Sequence, residues 1–194
     1  MPSCEVFSVE PRAWEREESG NFEQAEIVEF ERIGTVFWRE TRPQPHPPVI
    51  EIIANTRALA ETDMPFTDRA WPIVSIRMLE ALLRVGPFQH EAVPVHFRSR
   101  RSEDPDIPNS YVVLRHWTHL DVFDREKSEF KWSKVDPQHA RSIRRLVLRC
   151  PPDGFPSAFR IPEATGYLFV SGEARRALEE IGVRGIDFVP VEVI

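Results

Sequence analysis

Cysteine is nearly absent from this chain, with only Cys4 and Cys150 in 194 residues. Two thiols supply neither a disulfide framework nor a four-ligand zinc site, so the fold is expected to rest on its core in a reducing compartment. Glycine is scarce too, at eight residues, and no "GxGxxG" or "GxxxxGK" loop occurs to cradle phosphates. Neither a "GxSxG" elbow nor a Cys/His pair with the surroundings of a thiol enzyme is present. Nowhere do 18 apolar residues run together, and "MPSCEVFSVEPR" has no basic n-region or apolar h-region. A cytoplasmic protein that does not engage the membrane is the expectation.

What is there has the balance of a folded soluble chain, with 41% hydrophobic and 29% charged residues. A length of 194 residues suits a single domain over 1–194, able to bury about 70% of its unfolded surface. The net charge of −6 is unevenly placed. Residues 1–31 hold nine glutamates against Arg12 and Arg16, a local charge of −7 that leaves the remainder close to neutral. Direct nucleic-acid binding is not expected, because phosphate neutralisation needs a basic face. The acidic stretch suits a basic protein partner. Proline-rich "TRPQPHPPV" is expected to bound an acidic amino-terminal lobe over 1–48, ahead of a repeat-containing body over 64–194.

The body says one thing twice. Residues 73–95, "IVSIRMLEALLRVGPFQHEAVPV", align without a gap on 169–191, "FVSGEARRALEEIGVRGIDFVPV", at an offset of 96 with eight of 23 positions identical. The shared letters are those of a strand, a capped helix and a strand. Ser75 and Ser171 end apolar pairs, where an N-cap accepts a free backbone N–H for about 1 kcal/mol. Ala174, Ala177, Leu178 and Ile181 form one helical stripe, and Ile76, Met78, Leu79, Leu82 and Leu83 form a wider one. Gly86 and Gly182 stand where a left-handed residue stops a helix. Pro94 and Pro190 cannot donate to a ladder, which predicts sheet edges or strand ends. Two units over about 72–95 and 168–191 predict a pseudo-symmetric α+β body with a mixed or antiparallel sheet.

Between the copies, Tyr111 to Phe123 reads as one long strand, and Asp136 with Pro137 as the start of a helix through about Leu146. "LVLR", "AFRI" and "YLFV" read as short strands. Candidates for chemistry are few. His116, His119 and Asp121 lie within six positions, but on a strand the two histidines face opposite sides and too few ligands remain for a metal. Arg98, Arg100 and Arg101 crowd one loop, while Arg141, Arg144 and Arg145 share one face of the predicted helix. Glu103, Asp104 and Asp106 follow the loop arginines, which reads as a mixed solvated surface. No catalytic residue, metal ligand or cofactor is expected.

Three stretches, taken in order, carry a resemblance. In "FTDRAWPIVSIRMLEALLR" an aspartate and an apolar lead run into a serine-capped helix, Asp68 to Leu83. In "YVVLRHWTHLDVFDREKSEF" a strand ends in D-x-x-x-S, Asp124 to Ser128. In "YLFVSGEARRALEEIGVRGIDFVPV" an F-V-S helix is followed by "GIDF", Phe169 to Phe188. Over about residues 64–191 the chain thus resembles the immunity proteins of bacterial polymorphic-toxin systems. The resemblance implies binding without catalysis: a cognate toxin, often a nuclease encoded next door, is held with its cleft blocked. Such a toxin would present a basic domain, and the acidic stretch would meet it through Trp14, Glu17, Glu18, Glu23 and Glu26. The alternatives are a cytosolic binding or regulatory module of the same fold and a metal-assisted hydrolase using His119, Asp121 and Asp124.

Overall fold

Short β-branched and aromatic runs broken by proline favour strands, and strand is the commonest regular structure among the described residues. The structure, a computed structural model, describes residues 4–12, 26–28, 49–59, 61–67, 71–101, 104, 106–116 and 118–194. Among them, one five-stranded sheet uses β2 (Glu26–Ile27), β3 (Ile50–Ala54), β4 (Ile73–Ser75), β5 (His90–Ser99) and β6 (Ile107–His116), in the order β2-β3-β5-β6-β4. A second uses β1 (Val6–Pro11), β9 (Val147–Leu148), β10 (Ala158–Phe159), β11 (Leu168–Ser171) and β12 (Ile186–Val193), in the order β10-β11-β1-β12-β9. β7 (Glu129–Trp132) and β8 (Ala140–Arg145) pair only with each other. The helices are α1 (Thr56–Leu59), α2 (Ile76–Val85) and α3 (Gly172–Glu180). The fold class is α+β, mostly β.

The repeat is visible in the pairing itself. In the first sheet β4 and β5 flank β6 antiparallel, so that Val112 lies between Val74 and Pro94. In the second, β11 and β12 flank β1 antiparallel, so that Phe7 lies between Val170 and Pro190. The outer strands match at the sequence offset, but the middle strand differs in origin. One unit is completed by β6, which follows it in the chain, and the other by β1, from near the amino terminus. A parallel strand then joins each: β3 pairs with β5 from Val95 onward, and β9 pairs with β12 from Glu192 onward. Pro94 and Pro190 therefore lie within strands that are interior in the sheet order, but each has one side unpaired, so the expected edge is a local one. Both sit just before the parallel neighbour begins, where a missing N–H costs that neighbour nothing.

Ser75 accepts the N–H of Met78 at 3.2 Å and Ser171 that of Ala174 at 3.3 Å, so both serines cap their helices. α2 and α3 pack against each other. One core gathers Val74, Met78, Leu82 and Val112 from the first unit with Phe7, Val170, Ala174 and Leu178 from the second. Two further cores cover the opposite sheet faces, one around Ile52, Val95, Phe97 and Val113, the other around Val6, Phe123, Phe159 and Phe169.

Several expectations are corrected. Gly86 has φ 178, extended backbone open to any residue, and only Gly182, at φ 64, takes the left-handed stop. The strand read over Tyr111 to Phe123 instead spans Ile107–His116, after which His119 and Phe123 make isolated bridges to Arg160 and Leu148. No helix follows Asp136. Its Oδ1 accepts the Gln138 N–H at 3.1 Å and its carbonyl the His139 N–H at 3.1 Å, which closes the β7–β8 hairpin. The same short acceptor that caps a helix also closes a turn, and the ladder to β7 decides between them. Val6–Pro11, within the stretch read as an acidic lobe, is the middle strand of the second sheet. Cys4 and Cys150 form a disulfide, with Cα atoms 5.9 Å apart and 146 residues between them in sequence. They meet because β1 and β9 both flank the end of β12, a proximity set by topology.

Candidate functional site

The densest polar constellation lies where the two units meet. The Asp63 side chain is buried and accepts hydrogen bonds from Ser75 Oγ at 2.6 Å, Arg77 Nε at 2.7 Å, a second Arg77 nitrogen and the Arg184 amide at 2.8 Å. Arg77, on α2, also reaches the carbonyls of Ile181 and Gly182 at 3.2 and 3.1 Å, at the end of α3. Burial pushes the Asp63 carboxyl up, but the bonds from Arg77, Ser75 and Arg184 outweigh it and hold the group below its ordinary value. Beside it, Tyr111 donates to the carbonyls of Leu59 and Thr62, and burial with the nearby Asp63 charge pushes its pKa up to about 12. Gly185, at φ +67, passes so near Thr62 that an added Cβ would stand 2.8 Å from its Cα. The bonds of Arg77 to Ile181 and Gly182, and of Arg184 to Asp63, join the units, and the others brace the first unit around Asp63. Ser75 is hydrogen-bonded to a carboxylate and touches no histidine, so it is a strut.

The histidine and aspartates of the hydrolase alternative do not converge. His119 is half-buried, and burial with the charge of Arg160 lowers its pKa. Asp124 Oδ1 accepts the N–H groups of Glu126 and Lys127 at 3.1 and 2.9 Å, and Ser128 bridges both backbone groups of Val147. The D-x-x-x-S motif is thus a turn tied to β9. Asp121 and Asp124 line an open depression of about 460 Å³ with Arg125 and Arg149, and His119 is not in its walls. Among the described residues, no group of three or more His, Cys, Asp and Glu side chains is placed to hold a metal ion.

The arginine clusters also separate. Arg98 lies on β5 and faces Glu51 at 3.6 Å, while Ser99 and Asp106 close the loop that follows. Arg141, Arg144 and Arg145 occupy β8, where Arg145 alone is committed, to Glu192 at 2.7 and 2.9 Å. What the described residues offer is therefore surface, with their polar interior serving the fold. Across residues 5–193 the chain matches the Immunity protein family (Imm11). The chain belongs to this family. No curated protein matches it.

Membership in the immunity family takes in more of the chain than the resemblance over 64–191, and the pairing explains why. Residues near the amino terminus supply β1, without which the second unit lacks its middle strand. Asp68, in the first quoted stretch, lies outside the described residues, as do Trp14, Glu17, Glu18 and Glu23. Glu26 is described in its backbone, on β2 opposite Ile53. Sequence reasoning missed Asp63, Arg77 and Arg184, whose partners are far away in the chain. In "VSIR", whose serine and arginine lie 12 and 14 residues after Asp63, nothing signals that the two share one carboxylate.

Proposed function

We propose that this immunity protein neutralises a cognate toxin by docking on it, without catalysis, and that the toxin is a nuclease whose cationic nucleic-acid path is covered. Family membership across residues 5–193 carries the reading. The acidic stretch supports its finer part: nine glutamates in residues 1–31 favour rapid encounter with a basic domain. Trp14, Glu17, Glu18, Glu23 and Glu26 are the proposed contacts, the tryptophan as a buried anchor and the glutamates as phosphate mimics. A stable block needs about 1,600 Å² of total buried surface. The complex forms in the cytoplasm, where a nuclease meets its substrate.

Co-expression with the toxin domain encoded by the adjacent reading frame tests the reading. Growth should be rescued and a stoichiometric complex should elute from gel filtration, with toxin-dependent cleavage of DNA or RNA stopped on adding the purified chain. Continued killing with no complex refutes neutralisation, and a bound toxin that cleaves no nucleic acid refutes the nuclease. Association should slow as salt rises, since steering over a Debye length is screened.

A further inference from the structure

In a chain of net charge −6, residues 125–149 carry eight lysines and arginines against three acids, a local charge of +5. This segment builds the β7–β8 hairpin, which pairs with neither five-stranded sheet. Arg125 is committed to Glu163 and Arg145 to Glu192. Lys127, Lys131, Lys134, Arg141, Arg144 and Arg149 are exposed and make no ion pair among the described residues. A solvated face would carry such charges with little apolar surface beside them. Here Trp132 is 39% exposed and Val135, in the turn, 95%. At the base of the hairpin a groove of about 360 Å³ runs between β8 and β12, with Arg144 on one side and the exposed Tyr167 and Val189 on the other. There β12 is paired with β1 alone, and its other side is open, because β9 joins it only at Glu192.

The groove is mixed, with Glu10 and the Arg145-paired Glu192 in its walls, and exposed aromatic and arginine side chains beside it match the anchors of protein interfaces. A nucleic-acid surface fits less well: Glu126, Glu129 and Asp136 interrupt the cations, and the molecule as a whole repels phosphate. We infer that the β7–β8 hairpin and the groove at its base dock an acidic patch on the cognate toxin, Trp132 and Val135 supplying apolar anchors. This rests on the toxin-binding reading and adds a contact of opposite charge to the acidic stretch. Two contacts of opposite sign admit one orientation of the partner and penalise the reverse, which is a source of specificity.

The test measures binding of the purified chain to the toxin domain from the adjacent reading frame, at low and high salt. Lys131→Glu/Arg141→Glu/Arg144→Glu should weaken binding by about 30-fold or more, mostly through slower association, and flatten the salt dependence. Trp132→Ala/Val135→Ala should weaken it by about tenfold through faster dissociation. Arg84→Glu/Arg176→Glu, on the exposed helix faces, should bind within about twofold of the parent. Thermal melts confirm that each variant is folded. If the wild-type chain binds and both hairpin variants bind equally well, the hairpin is not the docking surface and the functional reading survives. If the wild-type chain fails to bind, both fall. Hairpin-dependent binding of a duplex DNA probe, or a wild-type dimer that the triple variant dissolves, would assign the surface to another occupant and overturn the inference.

Discussion

Asp63 shows how much one carboxylate can hold. Its partners lie 12, 14 and 121 residues away in the chain, so no local pattern announces them. Its folded pKa is held below the ordinary value, so the stability it contributes is present above the unfolded value of about 3.9 and is lost as pH falls through the folded one. Asp63→Asn should cost about 2 kcal/mol at pH 7 and lose less than the parent on acidification to about pH 3, as read by urea unfolding at both values. A variant as acid-sensitive as the parent would place the titrating group elsewhere. Gly185→Ala combines a left-handed backbone with a clash against Thr62 and should cost about 3 kcal/mol in the same assay.

At the scale of the element, the two capping serines are a natural comparison. Both accept one helix N–H, but only Ser75 also donates to a buried carboxylate. Ser171→Ala should therefore cost about 1 kcal/mol and Ser75→Ala about twice that, a difference that equal urea midpoints would contradict. The helices were legible because cap, stripe and stop lie within a dozen neighbouring residues. The segment after Asp136 was misread for the complementary reason. Its arginine spacing and Asp-Pro pair fit a helix, yet Ile143 packs on a core reached only through the fold, and β7 offers a ladder just upstream, from Trp132 opposite Ala140 to Glu129 opposite Arg145. That change of element turns three arginines from a helical stripe into the outer surface of a hairpin.

The molecule as a whole is two matching units closed by strands from different parts of the chain. The Cys4–Cys150 bridge joins the residues beside β1 and β9 within the second sheet. Closing a loop across 146 residues would stabilise the oxidised form by up to about 5 kcal/mol on chain-entropy grounds. Oxidised protein should melt higher than reduced protein or Cys4→Ser/Cys150→Ser, and these last two should melt alike. Identical melting of all three would mean that the bridge does not constrain the unfolded chain.

What could be read from the letters is what is made of neighbours: strand–helix–strand units, their caps, the glycine stop at Gly182, the acidic stretch, and the order of motifs that points to the immunity family. What required the folded chain is everything that joins distant segments. The exchange of β1 for β6, the meeting of the cysteines, the sharing of Asp63 by α2 and the loop after α3, and the isolation of the basic hairpin all depend on backbone pairing. Main-chain ladders accept many side chains alike, so the amino acids that form them carry little record of which strand lies alongside.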